Sequence, residues 1–172
     1  MVKYWVIADM HLGHTKLVEE KFRPANFSDK ILINLKRMVL PGHILIDLGD
    51  VCFEDKALWH SKLAEIPGKK WLVLGNHDSN SVSWYLEHGY DAVMHNFTLC
   101  MFGKKILFSH KPKDATGYDL NLHGHFHNFG IDRVKETEPE LFKLLTPKHR
   151  LLSLEDSHYQ PVSLEYLCRD RK

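Results

Sequence analysis

A chain of 172 residues with 44% hydrophobic and 26% charged side chains is built like one globular domain with a core of its own, which excludes a collagen-like or disordered polymer. Lysine and arginine (23) nearly balance aspartate and glutamate (22), so the formal net charge of +1 gives no composition-level sign of a nucleic-acid or anionic-membrane surface. Nucleic acid stays open as a partner without being indicated by charge, and no apolar run approaches the roughly 20 residues that span a bilayer.

Cys52, Cys100 and Cys168 are odd in number and share no close spacing. That argues against a disulfide framework and fits a reducing compartment. The run from Met1 to Ala8 lacks the basic start and long apolar core of a signal peptide, so the expectation is a cytoplasmic protein, its oligomeric state open. Histidine is the outlier. There are 13, and this side chain is the commonest metal ligand and the usual proton shuttle.

Tyr4–Ala8 reads as a first buried strand, followed by Asp9-Met10-His11-Leu12-Gly13-His14. Asp9 and His11 lie two apart, so at a strand end their side chains leave on one face. Residues 15–27 are mixed, with Pro24 as a breaker. Ser28 is placed to cap a helix to about Leu40, with Ile31, Leu32, Leu35, Met38 and Val39 at helical spacing. Ile44–Leu48 is a second strand and ends in Gly49-Asp50. Glu54 and Asp55 open a helix to about Glu65, which Pro67-Gly68 ends. Trp71–Leu74 is a third strand, broken at Gly75-Asn76-His77-Asp78. Ser79–His88 reads as a short helix with Gly89 at its C-cap.

The periodicity then changes. Asp91–Met94, Phe97–Phe102 and Lys105–Phe108 read as strands, the last two a hairpin across Gly103-Lys104, ending in Ser109-His110. A polar loop, 111–119, leads to Asn121-Leu122-His123-Gly124-His125-Phe126-His127, where alternate histidines on an extended segment share a face. A helix around Pro139–Leu145, a strand around Arg150–Leu154 and a last helix capped by Ser163 complete the chain. Three strand–helix units followed by hairpins predict one α/β domain over 1–172, with two packed sheets and helices outside.

Asp9, His11, Asp50, Asn76, His77, His110, His125 and His127 all follow apolar runs. In open α/β sheets, ligands bind outside the carboxyl ends of strands. Singly, each motif is weak: Gly-Asp is an ordinary turn, and a lone histidine is more often a satisfied or exposed one. Their conjunction carries the weight. Nitrogen and oxygen donors without a thiolate suit borderline divalent ions. The donors are too many for one tetrahedral ion and enough for two, if a carboxylate bridges.

In order and spacing, Asp9-x-His11, Gly49-Asp50, Gly75-Asn76-His77-Asp78, His110 and Gly124-His125-x-His127 resemble the calcineurin-like metallophosphoesterases. Leu12-Gly13-His14, the Leu122-His123 run and Pro161–Glu165 resemble its small bacterial and phage members. The resemblance implies a four-layer α/β/β/α sandwich of two mixed sheets and two divalent ions per chain, manganese foremost and iron, zinc or nickel the other choices. It implies that Asp9, His11 and His127 hold one ion, that Asn76, His110 and His125 hold the other, and that Asp50 bridges. It further implies that His77 protonates the leaving group and that Asp78 holds the His77 ring. His14 and His123, beside the motifs, are candidates for supporting or substrate-facing groups. His158 reads as a surface residue.

Phosphate esters repel nucleophiles, so two cations and an acid answer the chemical need: bound oxygens are neutralised, a shared water becomes a hydroxide near neutral pH, and the alkoxide leaves protonated. The expected activity is hydrolysis of phosphate esters, phosphodiesters first, on a small-molecule ester or nucleotide. A nuclease, a phosphomonoesterase and a non-catalytic protein-interaction scaffold are the alternatives. Segments 15–27, 111–120 and 129–149 are the expected rims of the cleft.

Overall fold

The computed structural model describes residues 2–170; Met1, Arg171 and Lys172, which end the expected 1–172 domain, lie outside the described residues. Short runs of three to five residues, mostly apolar, form a parallel ladder. Its strands are β1 (Tyr4–Ile7), β2 (Ile44–Asp47), β3 (Lys69–Val73) and β4 (Ala92–Met94), in the order β4-β3-β2-β1. A short β9 (Val162–Ser163) adds antiparallel to β1. The second sheet is also mixed: β5 (Asn96–Met101) pairs antiparallel with β6 (Lys104–Ser109), and β7 (Leu120–His123) and β8 (His149–Leu151) follow in parallel. The structure is thus a mixed α/β fold with two mixed sheets.

Sequence and structure differ where local signals are short. The run at 91–94 groups with the later strands by its spacing, yet β4 pairs with β3 and closes the first sheet. The hairpin turns at Phe102-Gly103, one residue earlier than expected, with both residues left-handed (φ 53° and 71°).

Helices α2 (Phe27–Met38), α3 (Lys56–Ala64) and α4 (Val82–Glu87) follow the first three strand units. The cap of α2 is Asn26, and Ser28 lies inside the helix, where its Oγ accepts the Gly13 amide instead. Asp55 and Ser81 cap α3 and α4 through the amides of Leu58 and Trp84. The sequence leaves two short helices unread: α1 (Thr15–Glu19) and α5 (Ile131–Thr137), the latter followed by α6 (Pro139–Leu144). The last is α7 (Leu164–Leu167), and its leading residue Ser163 makes no side-chain cap bond.

Two apolar layers follow. Ile7, Leu45 and Leu72 pack under Ile31, Leu35, Leu63 and Tyr85 of the helices, while Val6, Ile46 and Val73 meet Ile106, Phe108 and Leu122 of the second sheet. Each such large side chain contributes roughly 1.5–3 kcal/mol on burial. The far side of β5 carries exposed Asn96, Thr98 and Cys100. The three cysteines are free, and among the described residues no helix is long and apolar enough to cross a membrane.

Beneath the strand ends sits a buried carboxyl group. Asp47, fully buried, accepts the Tyr90 hydroxyl at 2.6 Å and the Gly49 amide at 3.1 Å. Burial, helped by the charge of Asp78, outweighs these bonds and pushes its pKa from 3.8 up to about 7. Folded chains therefore hold a proton that unfolded chains release, so stability from this group is complete below about 4 and lost as pH rises to about 7. Asp47→Asn is expected to gain stability relative to the parent by roughly 3 kcal/mol between pH 4.5 and pH 8, read from urea unfolding at the two pH values. A difference that is flat or of opposite sign refutes this.

Candidate metal centre

β1, β2 and β3 all stop at the same edge, and their chains continue as loops that pair with one another. Asp9 and His11 donate backbone amides to the carbonyls of Gly49 and Asp50, and Leu12 to that of Val51. Asp9, His11, Asp50, His125 and His127 all have left-handed backbones, with φ from 47° to 75°. Side chains rarely adopt that conformation, and each instance costs on the order of 1–3 kcal/mol. This corrects the sequence reading of both pairs: they converge by tight left-handed turns beyond β1 and β7, and not by alternation along an extended strand. Two glycines allow the approach. A Cβ on Gly75 would run into the Asp50 carboxylate, and one on Gly124 into that of Asp9.

The side chains then meet. Asp9, His11 and His127 bring ligand atoms within 4.8 Å of one another, and so do Asp9, Asp50 and His110. Asp50 Oδ2 lies 3.5 Å from His110 Nε2, 3.7 Å from His11 Nε2 and 3.9 Å from His77 Nε2. Asn76 Oδ1 is 3.0 Å from His110 Nε2. Asp9 belongs to both groups and Asp50 to one. Asp9 is 1% exposed; burial opposes its ionisation, but the facing imidazoles of His11, His127 and His110 more than offset this and hold its pKa at about 2. Burial also lowers the pKa of His11.

Several of these groups have no protein partner. Asp9 Oδ1 and both ring nitrogens of His11 are buried without a hydrogen bond among the described residues. His110 donates Nδ1–H to the Leu48 carbonyl at 2.8 Å and brings Nε2 to 3.0 Å from Asn76 Oδ1 and 3.5 Å from Asp50 Oδ2. Buried polar atoms left without a partner, as at Asp9 and His11, beside a second carboxylate are what a divalent cation resolves. The residues present fit such an ion.

Other groups hold these donors in place, and Asp78 is a correction. Its carboxylate does not meet the His77 ring. It accepts the amides of Asp50 (2.7 Å), Gly75 (2.8 Å) and Val51 (3.1 Å), because three loop amides converge there with no other acceptor. The ring of His77 lies against Phe53 (centroids 4.7 Å apart), which stacks in turn on His14 at 3.8 Å and 13°. His14 thus supports the site through Phe53. His123 does not: it is buried, its pKa is pushed down to about 4 chiefly by burial, and it lines a separate cavity of about 370 Å³ with Phe126 and His149. His125 lines the cleft above these groups but falls outside both of them. Its Nε2 is 3.2 Å from Glu138 Oε1, which leaves Nδ1 as its free ring atom. His158 is exposed, as expected.

Arg23, Glu138 and Phe53 are absent from the sequence reading. Arg23 is 3% exposed and gives its guanidinium to the carbonyls of Met10 and Asp9 and to Glu155, with Nη2 3.4 Å from His127 Nδ1. Only the Pro24 breaker beside it hints that the chain turns inward there. The cleft above the donors measures about 250 Å³ and is walled by Phe129, Arg133, Val134, Thr137 and Glu138. Segment 129–149 thus lines the cleft as expected, through Phe129–Glu138, whereas neither 15–27 nor 111–120 contributes to the lining, and 15–27 reaches the donors only through Arg23.

No protein-family model and no curated protein matches the chain. Among solved structures, it is similar to AQ665, a protein of unknown function from Aquifex aeolicus. The likeness has a TM-score of 0.76 at 26% identity and covers 97% of this chain and 98% of that one.

The triple grip of Asp78 has a measurable consequence. Asp78→Asn presents an NH2 where an amide now donates and is expected to cost about 1–3 kcal/mol in unfolding of the metal-free protein. His77→Asn, at a side chain 48% exposed, should stay within about 0.5 kcal/mol. Equal destabilisation by the two substitutions would contradict the assignment.

Proposed function

We propose that this chain is a metal-dependent phosphoesterase of the calcineurin-like kind, hydrolysing phosphate esters and phosphodiesters first. The observation that carries the reading is the convergence at one sheet edge of the buried, unpartnered Asp9 Oδ1 and His11 ring nitrogens with the carboxylate of Asp50, the ring of His110 and the exposed side chain of Asn76. On this reading Asp9, His11 and His127 hold one divalent ion, Asn76, His110 and the Nδ1 of His125 hold a second, and Asp50 lies between them. Such ions, manganese foremost, would supply neutralisation of the phosphoryl oxygens and acidification of a water. The four-layer α/β/β/α sandwich belongs to the same reading, with α5 and α6 as part of its outer layer. Free cysteines suit a cytoplasmic setting.

The chain's own residues do the rest. Asp50 spreads its charge toward His11, His110 and His77, so both cation positions depend on it. His77 stands half-exposed at the cleft, outside both donor groups, with Phe53 against its ring. It gives its proton to the departing alkoxide oxygen, a role worth about 10²–10⁴-fold in rate. Arg23 holds His127 from behind and Glu138 holds His125 from the cleft wall, so that the donors keep their angles as the substrate arrives. An intact set of donors together with a poised acid weighs against a non-catalytic scaffold.

Two variants separate these roles. Asp50→Asn is expected to lose bound metal and activity together, whereas His77→Asn keeps its metal and loses 10²–10⁴-fold in turnover. Metal content by mass spectrometry reads the first. A screen pairing Mn, Ni, Zn, Fe and Mg with a diester, a monoester, a 2′,3′-cyclic nucleotide and single-stranded DNA reads the second. No turnover of any ester with any metal would sink the proposal.

A further inference from the structure

One wall of the cleft is not accounted for by the metal donors. Phe129 and the inner side of α5 form it, and Arg133 is the one lysine or arginine among the described residues that line the cleft. The guanidinium carbon of Arg133 lies 4.0 Å over the Phe129 ring, and the guanidinium has no hydrogen bond or ion pair to any described residue. The charged groups around it are otherwise engaged. Arg23 is committed to two carbonyls and Glu155, and Glu138, on the same wall, is taken by His125. A guanidinium held over an aromatic ring still has N–H groups to offer, and its planar fork matches the two oxygens of a carboxylate or phosphate.

The Asp and His donors serve the phosphoryl group that reacts, so a free cation on the facing wall has no work in a substrate whose only charge is at phosphorus. We propose that Arg133 receives a second oxyanion on the substrate, a carboxylate or a phosphate borne by the leaving group. The preferred substrates are then small phosphate esters with two anionic groups. At about 250 Å³ the cleft suits a small molecule of this kind rather than a long polymer. This rests on the phosphoesterase reading and narrows it.

Non-hydrolysable probes test the two claims apart. Calorimetry on the Mn-loaded chain would compare propylphosphonate, which has one anionic group, with 3-phosphonopropanoate and propylene-1,3-diphosphonate, which add a carboxylate or a phosphonate at the far end. The parent chain is expected to bind at least one doubly anionic probe about tenfold more tightly than propylphosphonate. Arg133→Ala should erase that advantage while leaving propylphosphonate affinity within about twofold, and Arg133→Lys should restore part of it. Whichever probe gains shows whether the second group is a carboxylate or a phosphate. Equal effects of Arg133→Ala on all three probes, or no effect on any, overturn the inference alone. If none of the probes binds the metal-loaded parent, the phosphoesterase reading falls with it. Arg133 is exposed, so Arg133→Ala is expected to melt with the parent, which circular dichroism checks.

Discussion

Everything at the sheet edge depends on how the loops after β2 and β3 are tied to each other. Asp78 reaches back across the edge and takes the amides of Asp50, Val51 and Gly75, while Asp50 Oδ1 takes the amide of His77. Two carboxylates thus cross-link two loops reciprocally. The loop after β1 then zips onto this pair through Asp9, His11 and Leu12. One oxygen of Asp50 is spent on the framework, and the other is left among three imidazoles. The framework and the chemistry use the two halves of one side chain.

Such a cross-link is needed because the backbone there is unfavourable. Five of the proposed donor residues sit in left-handed conformations, and buried Asp9 Oδ1 and the His11 nitrogens have no protein partner. Strain and orphaned polar groups persist only where the surroundings over-determine them. Here the surroundings are the apolar layers on either face of the first sheet, the Asp78 grip, and the Arg23 guanidinium pinned between the carbonyls of Asp9 and Met10. Asp78 is itself strained in charge: burial raises its pKa, and the three amides act against that rise.

The parallel strands and the donors were readable because each leaves a local mark. Trp71-Leu72-Val73 is an apolar run, and a polar Gly-Asn-His-Asp behind it is conspicuous. The direction of side chains was not readable. Alternation predicts a shared face for His123, His125 and His127, but left-handed turns at His125 and His127 send His123 into another cavity. Sequence adjacency likewise suggested Asp78 as the support of His77, whereas the support is Phe53, 24 positions upstream, stacked on His14. Ser28 illustrates the same limit: its residue type predicts a cap, and its actual partner, Gly13, is visible only in three dimensions.

The division of labour follows from which segments carry pattern. Donors come from the ends of buried strands, which hydrophobic runs announce. The groups that touch those candidate donors or wall the cleft come from 15–27 and 129–149, where α1 and α5 are five and seven residues long and bury little. Helices that short are held by packing rather than by propensity, so they leave almost no periodic signature. Arg23, Arg133 and Glu138 therefore look like ordinary surface charges in the sequence and acquire their roles only when their segments fold over the edge. The proposed chemistry sits on regular strands and can be read first, because the proposed substrate contacts sit on the irregular parts.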